Sequence, residues 1–262
     1  MATLGWHKLR VATVRSYPAK GDIAANAARL LDILGRIAPQ GPDVVVTPEC
    51  WLDGYVVTRG DVTRRNLSRW AVDPASAEPV RAVAAWARAH RAWVILGCCR
   101  PVRGGVANSA LVFDRRGRLA GSYDKVHCRG HDRKFVAGAA LPVFRADFGR
   151  FGVMICADRR WPETVRTLAL RGAHIIFNPT YGQHDAKNVA VMRTRSFESE
   201  TPIVFAHPGQ SLFTDAAGDV LLDDTGAEPP FSVCEVNLSA VARLRADPES
   251  FLNNRRPGAY RL

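Results

Sequence analysis

The stretch FGVMICADRRWPE, Phe151–Glu163, holds an apolar run, a cysteine at its end and a polar segment. Phe151–Cys156 has the composition of a buried strand. Pro162–Arg171 is predicted to be a helix, because Pro162 and Glu163 suit a first helical turn. The strand thus leads through Cys156 and a polar loop into a helix, which is the repeating unit of α/β proteins.

The same alternation continues on both sides of this stretch. The other predicted helices are Ile23–Ile37, Pro79–Arg91 and Ala186–Glu200. The other predicted strands are Leu9–Arg15, Val44–Thr47, Trp93–Gly97, Val106–Asp114, Arg118–Lys125, Ala173–Asn178, Pro202–His207, Ser211–Asp215, Val220–Asp223 and Phe231–Val236. No linker interrupts them, so we expect one α/β domain over residues 1–262. Periodicity alone leaves open whether the strands form two packed sheets or one doubly wound sheet.

Composition and charge indicate a globular protein with a substantial core. Of 262 residues, 47% are hydrophobic and 23% are charged, a mixture typical of folded domains. The 36 Lys and Arg outnumber the 25 Asp and Glu, for a net charge of +11. The arginines are scattered along the chain rather than concentrated in one tail or helix, so nucleic-acid binding is not expected.

Cysteine usage and hydropathy point to a cytoplasmic protein. The cysteines have no CxxC or framework spacing, which predicts neither a metal site nor a disulfide scaffold. They are Cys50, Cys98, Cys99, Cys128, Cys156 and Cys234. No stretch approaches the roughly 20 apolar residues of a membrane span. Residues 1–16 carry charges throughout and lack the apolar core of a signal peptide.

Three side chains with catalytic potential end apolar strands and enter polar loops. They are Glu49, Lys125 and Cys156, and the carboxyl ends of strands are where α/β proteins bind ligands. A cysteine attacks as the thiolate, which a carboxylate base can generate and a nearby cation can favour. Lys125 and the backbone N–H of Ala157 could hold an oxyanion. Each residue also has a structural alternative: a buried apolar thiol, a surface lysine and a loop cap.

The segments around these residues resemble the three signatures of the carbon–nitrogen hydrolase (nitrilase) superfamily. Pro48-Glu49 with Gly54-Tyr55 is similar to its glutamate motif. Tyr123, Lys125 and His127 match its YxKxH lysine motif. The cysteine motif, CxDxRxPE, is matched by Cys156, Asp158, Arg160, Pro162 and Glu163. Order and separation also fit, over nearly the whole chain.

The resemblance implies a four-layer α-β-β-α sandwich that forms a homodimer or higher homo-oligomer through a helical face. It implies Glu49 as general base, Lys125 as stabiliser of the transition state and Cys156 as the acylated nucleophile. The reaction would release ammonia or an amine and an acid, without a cofactor or metal.

The sequence after the nucleophile resembles the amidase and carbamoylase branches. Nitrilases proper usually have Cys-Trp-Glu, whereas this chain has Cys156-Ala157-Asp158. The run CADRRWPET, 156–164, is similar to that of N-carbamoyl-D-amino-acid amidohydrolases. In that subgroup the arginines matching Arg159 and Arg160 are associated with the substrate carboxylate, which a guanidinium binds in a bidentate manner. Bracing of the loop by Arg160 is the alternative.

Two departures bear on the substrate site. Ala157 replaces a larger residue, so only its backbone N–H is expected to contact substrate. The segment after His127 is shorter than in relatives, where it carries a second Glu; His131 or Asp132 lies near that position. His127 is expected to form a hydrogen bond within the site or to serve the structure.

We therefore expect a hydrolase of an amide or carbamoyl bond in a small substrate, including one that bears a carboxylate. One alternative is an aliphatic or ω-amidase without an arginine clamp. Another is a catalytically silent binding protein on the same fold.

Overall fold

The computed structural model describes residues 8–260, which contain twelve strands and five α-helices. The helices are α1 (Ile23–Ile37), α2 (Glu78–His90), α3 (Pro162–Leu170), α4 (Ala186–Ser199) and α5 (Ser239–Ala246). The strands are β1 (Lys8–Val14), β2 (Val44–Val46), β3 (Trp93–Val102), β4 (Gly105–Phe113), β5 (Leu119–Asp124), β6 (Val143–Ala146), β7 (Gly149–Val153), β8 (Ile175–Pro179), β9 (Ile203–His207), β10 (Gln210–Thr214), β11 (Val220–Asp224) and β12 (Phe231–Asn237). Residues 1–7, part of the segment inspected for a signal peptide, lie outside this range.

The strands form two six-stranded mixed sheets. The first has the order β12-β1-β2-β3-β4-β5 and the second the order β11-β10-β9-β8-β7-β6. In each sheet three central strands run parallel, β1-β2-β3 and β7-β8-β9 respectively. The outer strands pair antiparallel.

Apolar side chains on both faces of each sheet hold four layers together. Alternate residues of a strand point to opposite faces, so Val44 packs between the sheets whereas Val45 faces the helices. Leu30 of α1 lies in the outer cluster of the first sheet, and Leu168 of α3 lies in that of the second. The α-β-β-α sandwich is confirmed, and the alternative of one doubly wound sheet is wrong.

The element predictions hold best where the apolar pattern is long. Helix α1 has the predicted bounds, and Asp22 caps it by accepting the Ala25 N–H over 2.9 Å. The prediction that the strand reaches Cys156 is wrong, because β7 ends at Val153. Cys156 has a φ of +48°, which a strand residue cannot adopt. Strand β6 and helix α5 were not predicted.

The topology brings three loops to one edge of the sandwich. The loop after β2 carries Glu49, the residue after β5 is Lys125, and the turn after β7 carries Cys156. Within residues 8–260, no helix combines the length and the apolar character needed to cross a membrane.

Candidate active site

The three candidate catalytic side chains lie together. Nζ of Lys125 donates to Oε1 of Glu49 over 2.7 Å. Lys125 and Cys156 line the same cavity, which has a volume of about 300 Å³. Residues far apart in sequence thus meet because both sheets contribute loops to this edge.

The Glu49 carboxylate is fully buried and has a hydrogen-bond donor on each oxygen. Besides Lys125, Oε1 accepts from Nδ2 of Asn108 over 2.7 Å. Oε2 accepts the backbone N–H of Tyr181 over 2.9 Å. Burial raises the pKa of Glu49 above its ordinary value, and the positive charge of Lys125 offsets part of that rise. The carboxylate is therefore fixed in position and exchanges a proton at a higher pH than an exposed Glu.

Lys125 is a buried ammonium group between two carboxylates. Its Nζ also donates to Oδ2 of Asp132 over 2.5 Å. Burial alone would lower the pKa of Lys125, but the negative charges of the Glu49 and Asp132 carboxylates outweigh burial, and the pKa lies well above its ordinary value. Lys125 is therefore a fixed positive charge at the cavity wall.

Asp132 lies on a short 3-10 helix, Gly130–Lys134, within the shortened loop. Oη of Tyr55 donates to Oδ1 of Asp132 over 2.8 Å, while Oδ2 accepts from Lys125. Of the two residues considered for the place of a second Glu, Asp132 is buried against Lys125 and His131 is exposed. Asp132 thus binds Lys125 through one oxygen and Tyr55 through the other, in the wall of the cavity.

Cys156 begins a 3-10 helix, Cys156–Arg160, with left-handed backbone. This conformation costs a residue other than glycine about 1 kcal/mol. Asp158 helps to hold the turn, because its Oδ2 accepts the Ile155 N–H over 2.9 Å. The tight turn places Cys156 on the wall of the cavity.

Two opposing sets of groups act on the Cys156 thiol. Burial raises the pKa of the thiol above its ordinary value, and the negative charge of Glu49 raises it further. The positive charges of Lys125 and Arg159 and the backbone N–H of Gly182 lower it. The first set prevails, so the resting side chain is a thiol beside a carboxylate that can accept its proton.

His127 connects the lysine loop to the cysteine turn. Its Nδ1 lies 2.7 Å from Oδ1 of Asp158, and its backbone N–H donates to the same oxygen over 2.9 Å. Oη of Tyr123 donates to Oδ2 of Asp158 over 2.7 Å. The imidazole stacks on Trp161 with a centroid separation of 4.0 Å. These contacts favour the structural alternative for His127.

The guanidinium of Arg159 is bonded mainly to the protein. Nε donates to Oδ1 of Asn188 over 2.5 Å, and Nη1 donates to the Cys156 carbonyl over 2.5 Å. Nη2 donates to the Gln183 carbonyl over 2.7 Å, and only 2% of the residue is exposed. We predicted carboxylate binding for Arg159, but this geometry favours a role in bracing the turn.

Arg160 and Ala157 lie at more open positions of the same cavity. Arg160 is exposed, and its Nη2 donates to Oε1 of Gln183 over 2.5 Å. Arg129 also lines the cavity, with its guanidinium 5.8 Å from the Trp161 ring centroid. Ala157 lines the cavity next to Cys156. The exposed side of the cavity, here called the cavity mouth, therefore carries two positively charged guanidinium groups.

Two tyrosines of the site were not identified as functional from the sequence. Tyr55 belongs to the glutamate motif, and its left-handed backbone directs its ring towards Asp132. Tyr181 lies in the loop after β8 and stacks on Tyr55 with ring centroids 4.9 Å apart. The sequence signal that points to Tyr181 as a functional residue is its position just after a central parallel strand.

One further group of potential metal ligands lies beneath the Glu49 loop. The ligand atoms of Cys50, Asp53 and Cys99 all lie within 4.8 Å of one another and are buried. However, Asp53 already accepts the backbone N–H groups of Cys99 over 2.9 Å and Val56 over 3.2 Å. Burial also raises the pKa of both thiols. These features indicate that the three side chains fix the loop through hydrogen bonds rather than bind a metal ion. None of the three lines the cavity.

Comparison with known families gives a clear result. The sequence profile described as carbon-nitrogen hydrolase matches residues 10–246. The chain belongs to the carbon–nitrogen hydrolase family. The family resemblance of the three motifs is thereby confirmed, whereas the branch within the family is not resolved.

Similar carbon–nitrogen hydrolases include both nitrilases and amidases. A nitrilase of Pyrococcus abyssi is 28% identical over 96% of this chain and 99% of its own length. An (R)-stereoselective amidase of Pseudomonas sp. is 26% identical over 95% of this chain and 92% of its own length. A solved amidase variant from Nesterenkonia sp. AN1 superposes with a TM-score of 0.79, at 22% identity, and covers 99% of this chain and 98% of that one. It carries the acetamide moiety of fluoroacetamide on its active-site cysteine.

Proposed function

We propose that this carbon–nitrogen hydrolase cleaves an amide or carbamoyl bond of a small substrate through a thioester on Cys156. The observation that carries the proposal is that Lys125 and Cys156 line one cavity and that Glu49, buried behind it, is hydrogen-bonded to Lys125. At about 300 Å³, that cavity suits a small molecule rather than a folded protein.

The first step is proton transfer from the Cys156 thiol to Glu49. The raised pKa of Glu49 brings its basicity closer to that of the thiol, which makes the transfer less unfavourable. The charge of Lys125 favours the thiolate that results. The nucleophile therefore forms at the moment of attack, because burial keeps it protonated in the resting enzyme.

The thiolate sulfur then attacks the substrate carbonyl carbon, and the carbonyl oxygen becomes an oxyanion. Nζ of Lys125 and the backbone N–H of Ala157 are the donors that we assign to this oxygen. Lys125 suits the role because Glu49 and Asp132 hold its ammonium group from two sides. Charge that develops in the transition state thus meets a donor that needs no reorganisation.

The intermediate collapses as the C–N bond breaks, and Glu49 returns its proton to the leaving nitrogen. Ammonia or an amine departs, and an acyl or carbamoyl thioester remains on Cys156. Glu49 then accepts a proton from water, whose oxygen attacks the thioester carbonyl. The C–S bond breaks, the acid is released, and the sulfur regains the proton. Every proton transferred in these steps comes from a side chain of this protein or from water, so each step is balanced.

The charge at the cavity mouth favours a substrate that carries a carboxylate. Arg129 and Arg160 are exposed residues of the cavity lining, whereas Lys125 is buried. An exposed guanidinium can bind a carboxylate in a bidentate manner, whereas the bonds of Arg159 are mostly made within the protein. We therefore propose a carboxylate-bearing amide, such as an N-carbamoyl amino acid, as substrate. An aliphatic amide or an ω-amide that binds without an arginine clamp is the alternative.

A substrate panel with ammonia as the readout tests this function. It contains N-carbamoyl D- and L-amino acids, ω-amides of dicarboxylates, aliphatic amides and a nitrile. Cys156→Ala is the blank, and Cys234→Ala is the matched control, because Cys234 is a half-buried thiol on β12. Release that depends on Cys156 but not on Cys234 supports the proposal.

The panel also separates the alternatives. Preference for the nitrile would assign the protein to the nitrilases. Preference for neutral amides would contradict the proposed binding of a substrate carboxylate by arginine. No release from any substrate, together with a Cys156 no more reactive than other thiols, would favour a silent binding protein.

We further propose that the chain acts as one catalytic unit and associates with itself. Glu49 and Lys125 follow strands of one sheet and Cys156 follows a strand of the other, so the site requires both sheets. Exposed apolar side chains on the α3–α4 side, Leu170 and Phe197, support a homodimer through that face. Light scattering after gel filtration gives the mass in solution, and a monomer would contradict association.

A further inference from the structure

His207, the last residue of β9, is buried beside the site and has a partner on each ring nitrogen. Nε2 lies 2.9 Å from the carbonyl oxygen of Tyr181. Nδ1 accepts the backbone N–H of Gly209 over 2.9 Å. A carbonyl can only accept and an N–H can only donate, so the ring is neutral with its proton on Nε2.

The carbonyl that His207 contacts belongs to the peptide group joining Tyr181 to Gly182. The N–H of this same peptide group is that of Gly182, and it lowers the pKa of the Cys156 thiol. Gly182 also approaches the sulfur closely, since a β-carbon there would lie 3.3 Å from Sγ. The carbonyl of this peptide group therefore contacts His207, while its Gly182 end lies close to the Cys156 sulfur.

The peptide group before it, which ends in the Tyr181 N–H, contacts Glu49, the proposed general base. The N–H of Tyr181 donates to Oε2 of Glu49 over 2.9 Å. Any rotation about the Tyr181 backbone would therefore move the donors of both Glu49 and Cys156. A buried contact that prevents this rotation acts on both reacting groups.

We propose that His207 is a positioning residue that orients the Tyr181–Gly182 peptide so that its N–H stabilises the Cys156 thiolate. This inference rests on the proposed function of Cys156 as the nucleophile. Donation by Nε2 to the carbonyl also polarises the peptide, which strengthens the hydrogen bond from its N–H. His207 does not touch the substrate and acts through the loop.

The surroundings of His207 keep it in this state. Burial and the neighbouring His184, whose ring stacks at a centroid separation of 4.1 Å, lower the pKa of His207 to about 4. The charge of Arg159 also disfavours a second proton. The ring packs on Phe205 at 5.9 Å and meets the edge of Tyr17. The neutral tautomer thus persists through the pH range in which the thiol is titrated.

Two amide substitutions distinguish the hydrogen bond from general packing. In His207→Gln the side-chain amide can reach the position of Nε2 and keep a donor to the Tyr181 carbonyl. In His207→Asn the shorter side chain places its amide near the position of Nδ1 and loses that donor. His174→Asn is the matched control, because His174 also accepts a backbone N–H, that of Arg150, on Nδ1 over 3.1 Å, and its pKa is also lowered to about 4, chiefly by burial.

The readout is the rate of alkylation of Cys156 by iodoacetamide across a pH series, located by peptide mass spectrometry. At a fixed pH below the thiol midpoint, we expect His207→Asn to slow alkylation about tenfold, since the peptide is no longer held in place and the hydrogen bond from the Gly182 N–H to the charged thiolate is lost. We expect His207→Gln and His174→Asn to remain within about twofold of the wild type. With a working substrate, kcat should fall in His207→Asn while KM changes little.

The alkylation profile needs no substrate, so it is separate from the proposed function. Unchanged profiles in both His207 variants would overturn the positioning role. Equal slowing in both would assign the effect to packing and would equally overturn it. If the substrate panel shows no hydrolysis but His207→Asn alone shifts the profile, the positioning role stands and the proposed reaction fails.

Discussion

Oδ2 of Asp132 lies 2.5 Å from Nζ of Lys125, in the loop between β5 and β6. The contact holds the ammonium group in addition to its hydrogen bond with Glu49, and Tyr55 holds the other oxygen of Asp132. Lys125 is therefore held by a second carboxylate besides that of Glu49. This loop therefore supports Lys125.

Loss of the Asp132 charge should impair catalysis more than binding. We expect Asp132→Asn to lower kcat about 10- to 100-fold, because Lys125 loses the partner that positions it for the oxyanion. Steady-state kinetics on the best substrate of the panel measures this. Asp61→Asn, at an exposed carboxylate paired with Arg59, is the control. A kcat within about twofold of the wild type would contradict the assigned role of Asp132.

Arg159 and Arg160 should behave differently although they are adjacent. We expect Arg160→Ala to raise KM about tenfold for a carboxylate-bearing amide and to leave a neutral amide unaffected. Arg159→Ala should instead lower kcat for both substrates and lower the melting temperature, because it removes bonds to Asn188 and to the Cys156 carbonyl. A KM effect confined to the carboxylate substrate in Arg159→Ala would reverse the two assignments.

A methyl group at Gly182 should obstruct the nucleophile. Its β-carbon would lie 3.3 Å from Sγ of Cys156, which is tighter than ordinary contact. We expect Gly182→Ala to fold normally and to lower kcat about tenfold by displacing the sulfur. Gly60→Ala is the matched control, since an added β-carbon there meets nothing within 4 Å. Equal activity of the two variants would argue against close approach of this loop to the sulfur.

Asp53 should make stability depend on pH. Burial raises its pKa to about 7, so the native state keeps a proton that the unfolded chain loses near its ordinary value. The stability that Asp53 contributes is complete at acidic pH and is lost as the pH rises towards 7, by at most about 1.4 kcal/mol per pH unit. His174 and His207, whose pKa values are lowered to about 4, act in the opposite direction.

Comparison with Asp53→Asn isolates this contribution, because both histidines remain. The free energy of unfolding, from urea titrations at several pH values, should fall more with rising pH in the wild type than in the variant. Parallel pH dependences would show that Asp53 does not titrate in this range.

The sequence was informative where a pattern is local. The periodic apolar positions of Ile23–Ile37 predict α1 with its observed bounds, and the resemblance of three motifs led to Glu49, Lys125 and Cys156. No residue of β6 is fully buried and Arg145 is exposed, while α5 buries Val241 alone, so neither element carries a strong apolar pattern. Elements with little burial therefore escaped prediction.

Side-chain environments that depend on distant elements could not be predicted. Arg159 is buried because Asn188 of α4 and the Gln183 carbonyl meet its guanidinium, and nothing near Arg159 in sequence shows this. The same holds for Tyr181, whose N–H reaches Glu49 from a residue 132 positions away. Folding of both sheets creates these contacts.

The central claim is that hydrolysis passes through a thioester on Cys156, and trapping with hydroxylamine tests it most directly. Hydroxylamine attacks a thioester to give a hydroxamate, in competition with water. Amides that share one acyl group but differ in leaving amine should give the same ratio of hydroxamate to acid, and Cys156→Ala should give neither product. A ratio that varies with the leaving amine, or hydrolysis that persists in Cys156→Ala, would contradict the thioester mechanism.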